Sequence, residues 1–229
     1  MPPLPQGALR GYYAILDVPG RVGMPEPIEL AKEVMRAEQL LAARPCCLQL
    51  RAKQLPVRPL LELASRLAPL CRQAGIPFCV NDRLDLALVV GADAVHLGQD
   101  DLSLSDVRRV LATLGRNLLV GISTHSLAQA VVAAQTGADY IGFGPVFSTS
   151  SKEKPDPVVG IEGLRAVTAA VAVPVVAIGG ICRSNVAQVV AAGAAAAAVI
   201  ADIENAQDRL AAAREVSAAF GSRTYDRTA

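Results

Sequence analysis

Asp82 and Asp101 are the residues whose type and placement most directly suggest chemistry. Each follows a short apolar, β-prone run. Phe78-Cys79-Val80 precedes Asn81-Asp82, and residues 94–97 precede Gly98-Gln99-Asp100-Asp101. Between them, residues 84–90 read as a short helix that Gly91 ends. If the two strands are parallel neighbours, about 5 Å apart, both carboxylates fall at one end of one sheet and can share a cation. Two carboxylates rarely hold Mg²⁺ alone; substrate phosphate oxygens and water complete the shell.

The same alternation runs through the chain. Strands are expected at 12–16, 48–50, 78–80, 94–97, 118–122, 140–143, 175–178 and 197–200. Helices are expected at 28–43, from Pro56 through Leu70, at 84–90, 103–114, 127–136, 161–170, 185–192 and 206–220. Gly91-Ala92-Asp93, Gly137-Ala138-Asp139 and Gly193-Ala194-Ala195 form a weak repeat, each ending a helix and leading into a strand. Eight strands alternating with helices in 229 residues predict α/β class, a single (β/α)8 TIM barrel over residues 1–229, with 1–10 and 221–229 as loose termini. No GxGxxG follows the first strand, which disfavours an open dinucleotide-binding sheet.

Composition removes several function classes. A net charge of +1, no Trp and 3% aromatic residues provide no basic or stacking surface, so no nucleic-acid partner is expected. Residues 167–181 and 191–201 are the most apolar stretches, and both are too short or too interrupted to span a bilayer. Five cysteines without metal-ligand spacing suit reduced thiols in a cytoplasmic protein. The N-terminus lacks a secretory pattern. A homo-oligomer remains compatible with the sequence.

Barrel chemistry sits at the C-terminal ends of the strands. This chain places Gln49, Arg51 and Lys53 after strand two, and Asn81 and Asp82 after strand three. Gln99 to Asp101 follow strand four, and Ser123 and His125 strand five. The loop after strand six carries Ser148, Thr149, Ser151, Lys152 and Lys154. Gly179-Gly180 after strand seven, with backbone after strand eight, suits a phosphate monoester. Arg51, Lys53 and Lys152, facing the carboxylate pair, suit a diphosphate. Plainer readings stand beside these: solvated loop charges for Arg51 and Lys53, a tight turn for Gly179-Gly180, and a packed barrel residue for His96. Asp93 and Asp139 read as capping residues.

The motifs QLRAK (49–53), VNDRLDLALVVGADAVHLGQDD (80–101), GISTHS (121–126), GADYIGFGPVFSTSSK (137–152) and AIGGI (177–181) resemble those of the thiamine phosphate synthase family. The resemblance spans about residues 12–203. It implies a transferase that joins 4-amino-2-methyl-5-hydroxymethylpyrimidine diphosphate to a thiazole phosphate and releases pyrophosphate. It implies Mg²⁺ on Asp82 and Asp101, with Asp100 outside the metal shell. It implies pyrimidine diphosphate contacts from Gln49, Arg51, Lys53, Asn81, Ser123 and Lys152, with Arg51, Lys53, Ser123 and Lys152 acting in catalysis. The thiazole phosphate would lie on Thr149, Ser151, Gly180, Ile200 and Ala201. Three positions depart from the family pattern: Ala52 where Glu is usual, Ser151 for a second Thr, and Ala201 for a Ser. Two alternatives stay open, a thiazole tautomerase acting through His125 and a non-catalytic barrel that binds thiamine precursors.

Overall fold

The computed structural model describes residues 9–18, 27–149 and 156–221. Eight parallel strands close into a barrel in sequence order, the last pairing with the first. They are β1 (Gly11–Asp17), β2 (Cys47–Arg51), β3 (Phe78–Asn81), β4 (Ala94–Leu97), β5 (Leu119–Thr124), β6 (Tyr140–Phe143), β7 (Val175–Ile178) and β8 (Ala196–Ala198). The intervening helices are α1 (Pro27–Ala42), α2 (Val57–Ala74), α3 (Leu84–Val90), α4 (Leu104–Thr113), α5 (Leu127–Gln135), α6 (Gly160–Ala170) and α7 (Val186–Ala191). Two more, α8 (Ala201–Glu204) and α9 (Arg209–Ala219), follow β8.

The expected 206–220 helix is α9, which starts three residues later, at Arg209; a short helix that was not expected, α8, precedes it, and β8 ends two residues early. The Ile200 carbonyl accepts from Ile203 and Glu204, which turns the chain into α8 at once. The Asp208 side chain then accepts from the Ala211 amide at 2.9 Å and starts α9 afresh.

Alternation along each strand divides the core in two. Leu48, Leu50, Val80, Val95, Val120 and Ile141 belong to the large shell packed under the helices, with Leu63 and Leu67 of α2. Tyr13, Cys47, Cys79, Ala94, Tyr140, Val176 and Ala198 form a smaller cluster inside the barrel. Aspartates latch the N-terminal end of the barrel. Asp93 accepts from the Phe78 amide at 2.9 Å, and Asp139 accepts from the Val120 amide and from Arg108, both at 2.6 Å. The capping reading of these two residues therefore holds. Buried Leu9 joins the cluster inside the barrel, and the Arg10 side chain donates to the Phe220 carbonyl at the end of α9.

Candidate active site

The register places β3 beside β4, with Asn81 opposite His96, so the loops after both strands open at the same end of the barrel. Asp82 follows directly, its amide donating to the His96 carbonyl at 2.8 Å and its φ at +63°. Asp tolerates this left-handed conformation better than most residues. Asp101 is held by its own turn, one carboxylate oxygen accepting from the Gly98 amide at 2.6 Å. Burial raises the Asp82 pKa to about 6, Lys53 opposes the rise, and the adjacent Asp101 carboxylate adds to it. The structure therefore brings the two carboxylates together. Asp100 is exposed to solvent.

Cations from β2 face this pair. Lys53 Nζ lies 3.7 Å from Asp82, and Arg51 donates to the Asp17 carboxylate of β1 at 2.5 Å. Asp17 escaped the sequence reading; its only signal is its place at the end of β1, opposite Arg51. Ala52, where a larger acidic residue was the expected pattern, is buried. It lines a cavity of about 200 Å³ with Leu50, Lys53, Asn81 and Asp82.

Deeper in the barrel, Gln49 is buried and its amide nitrogen lies 3.1 Å from the Tyr13 hydroxyl. Ser123 accepts or donates at 2.9 Å from His96 Nε2, and its carbonyl accepts from Gln99 at 2.5 Å. His96 is the packed barrel residue that its strand position suggests, and desolvation pulls its pKa down to about 4. The sequence reading did not connect it to Ser123, because the link crosses from β4 to β5.

On the opposite side, the loop after β6 is stitched to the end of β7. Val146 and Phe147 donate to the Ile178 and Gly179 carbonyls at 2.9 and 3.0 Å. Gly180, at φ +62°, lies so close to Phe147 and the Ser148 carbonyl that no side chain fits there. Thr149, half-buried, follows Ser148 in the chain. Asp202 of α8 receives the Arg183 amide at 3.0 Å and its guanidinium at 2.9 Å, joining the loops after β7 and β8. Half-buried Ile200 and exposed Ala201 stand at that junction. Arg183 is a second residue the sequence reading missed. Ser151, Lys152 and Lys154 lie outside the described residues.

His125 is turned toward the same loop. Its Nδ1 donates to the Gly144 carbonyl at 2.6 Å, and its Nε2 lies 3.6 Å from Asp156. Among the described residues, no group of three or more His, Cys, Asp or Glu side chains could hold a metal, so Asp82 and Asp101 stand as a pair. No described helix is long and apolar enough to cross a membrane.

A closed barrel with paired carboxylates and cations at one mouth is compatible with many phosphate enzymes; comparison narrows this. A family model described as thiamine monophosphate synthase matches residues 24–203. The chain belongs to the thiamine monophosphate synthase family. A thiamine-phosphate synthase of Chloroflexus aurantiacus is 45% identical over 170 residues, covering 74% of this chain and 77% of that one. The thiamine phosphate pyrophosphorylase of Pyrococcus furiosus superposes with a TM-score of 0.77 at 34% identity, over 92% of this chain and 94% of that one. A geranylgeranylglyceryl phosphate synthase from Thermoplasma acidophilum shares the fold alone, at 14% identity and a TM-score of 0.62, over 93% and 94% of the two chains. Membership of the thiamine monophosphate synthase family matches the motif resemblance and the barrel that carries it.

Proposed function

We propose that this chain joins 4-amino-2-methyl-5-hydroxymethylpyrimidine diphosphate to a thiazole phosphate, forming thiamine phosphate and pyrophosphate. The observation that carries the reading is the meeting of Asp82 and Asp101 beside Lys53, next to Arg51. The donor set fits Mg²⁺: two carboxylates, one of them made reluctant to ionise by burial and only partly compensated by Lys53 and Arg51, leave room for phosphate oxygens. Mg²⁺ held by Asp82 and Asp101 would supply charge neutralisation for the diphosphate.

The chain's own residues account for the remainder. Arg51, steadied by Asp17, and Lys53 neutralise the pyrophosphate as its bond to the methylene carbon breaks and the electron pair leaves with oxygen. The electron-rich aminopyrimidine stabilises the cation left behind. Gln49, Asn81 and Ser123 hold that ring within the barrel mouth. Thr149, the Gly180 backbone and the Ile200-Ala201 backbone hold the thiazole phosphate, so the thiazole nitrogen meets the cation and forms the new C–N bond. Ser151 and Lys152 join these two groups from the loop after β6. No protein nucleophile is required. The acting molecule works on small substrates in the cytoplasm, as a single barrel domain, with a homo-oligomer compatible with this arrangement.

A tautomerase reading has less support, because both ring nitrogens of His125 face the loop after β6. A binding-only reading rests on Ala52 and Ala201, which remove side-chain groups from the two anion sites. One assay separates the three. Purified protein with both precursors should release thiamine phosphate and pyrophosphate in equal amounts, and only with Mg²⁺. Isomerised thiazole without coupling, or binding without turnover, would overturn the proposal.

A further inference from the structure

The floor of the barrel carries more polar chemistry than the reaction above uses. Tyr13, Gln49, Cys79, His96, Ser123 and Tyr140 come from six successive strands and meet inside the barrel. Tyr140 stands at the centre. Its hydroxyl lies 3.0 Å from the Tyr13 hydroxyl, 3.1 Å from His96 Nδ1 and 3.6 Å from Cys79 Sγ. Two glycines make the arrangement possible. A Cβ on Gly121 would collide with the Tyr140 ring, and one on Gly142 would sit 3.0 Å from the His96 ring. Among the described residues, no buried side-chain nitrogen or oxygen lacks a hydrogen-bond partner.

Counting protons gives this chain of bonds a direction. The Gln49 amide nitrogen only donates, so the Tyr13 oxygen accepts from it. The better acceptor for the Tyr13 proton is the Tyr140 oxygen, since thiol sulfur accepts weakly. Tyr140 must then choose between an imidazole nitrogen and the more distant Cys79 sulfur. The nitrogen is the stronger acceptor. A neutral imidazole that accepts at Nδ1 carries its proton on Nε2, and that proton goes to Ser123 Oγ at 2.9 Å. The Ser123 hydroxyl proton is left with no use inside the network.

We propose that Tyr140 is a positioning residue: by donating to His96 Nδ1 it fixes the Nε2–H tautomer, which frees the Ser123 hydroxyl proton to bond a ring nitrogen of the aminopyrimidine. This rests on the reaction inferred above. Without the Tyr140 hydroxyl, His96 Nδ1 loses its donor and the ring can take its proton there instead. Nε2 would then accept from Ser123, and the serine proton would be spent inside the protein.

The test is Tyr140→Phe, which keeps the ring in its recess beside Gly121. With only two histidines in the chain, ¹⁵N-histidine spectra resolve the tautomers, and His125→Gln assigns the His96 signals. The wild type should show His96 as the Nε2–H form and Tyr140→Phe as the Nδ1–H form or a mixture. KM for the pyrimidine diphosphate should rise about tenfold, the scale of one hydrogen bond. KM for the thiazole phosphate should stay unchanged. Adding Ser123→Ala to Tyr140→Phe should cost nothing beyond Ser123→Ala alone, because both act through one proton. A wild-type Nδ1–H tautomer, or additive effects of the two substitutions, would overturn the proposal. Unfolding or equal losses for both substrates would mark Tyr140 as merely structural, which also overturns it. The spectra need no turnover, so a failed synthase assay beside the expected tautomers would remove the proposed reaction and leave the hydrogen-bond chain standing.

Discussion

The floor and the rim of the barrel mouth treat polar groups in opposite ways. On the floor, neutral donors and acceptors from six strands satisfy one another apart from the Ser123 hydroxyl proton, and burial raises the Tyr13 and Tyr140 hydroxyls while lowering His96. On the rim, burial first and the neighbouring Asp101 carboxylate second raise the Asp82 pKa to about 6, against the pull of Lys53. A group that pairs fully within the protein is set for orientation. A group left in conflict is set for a ligand that resolves the conflict. The difference teaches where charge enters this site: at the strand ends, on loops, and not in the packed interior.

The comparison is broken most directly at the rim. Asp82→Ala and Asp101→Ala should each lower kcat by at least about a hundredfold. The circular dichroism spectrum should stay that of the wild type. Normal turnover by both variants would remove the metal assignment. The matching change on the floor is Gly121→Ala. It drives a methyl group into the Tyr140 ring and should cost about 2–3 kcal/mol of stability by overpacking. Urea unfolding measures it, and an unchanged midpoint would show that the interior yields more easily than its packing suggests.

A smaller effect concerns orientation at the rim. Asp17→Asn leaves Arg51 in place but weakens its charged partner. KM for the pyrimidine diphosphate should rise a few-fold, on the order of 1 kcal/mol for a partly exposed pair. The smallest effect is the pH dependence of unliganded stability, where floor and rim have opposite signs. His96 binds its proton near 6.5 when unfolded and about 4 when folded, so its contribution is full above 6.5 and falls as pH drops toward 4. Asp82 runs from 3.8 unfolded to about 6 folded, so its contribution is full below 3.8 and lost as pH rises through 6. Between pH 4 and 6 they offset each other. His96→Gln should make the protein gain about 1 kcal/mol on acidification across that window, and Asp82→Asn should make it lose a similar amount. Urea midpoints at several pH values would show the two slopes, and equal slopes for both variants would refute the contrast.

Much of this was legible in the residues alone. The period of apolar runs, with Gly91 and Gly137 at helix ends, is enough to count eight strands, because each strand and helix must bury a face of fixed periodicity. Asp82 and Asp101 were readable as partners because parallel neighbours bring successive strand ends together. The short α8 and the start of α9 were less readable, since they depend on the chain turning at Ile200 as soon as β8 ends and on Asp208 capping α9 by accepting from the Ala211 amide. Asp17 was invisible for a different reason. Its role comes only from the pairing of β1 with β2, which sets it opposite Arg51.

The sequence by itself determined the α/β alternation, the family motifs and the residue types at each strand end, all of which are local patterns of a few positions. The tertiary structure decided which of those residues share a proton, a charge or a wall. Barrel closure is a long-range event, and only it brings Tyr13 of β1 to Tyr140 of β6, 127 positions apart. It also faces Asp82 with Lys53 and with Asp101, so that burial and like charge together raise one carboxyl. Spacing along the chain carries no information about such contacts, because they depend on strand register and on the small residues, Gly121 and Gly142, that make space across the barrel.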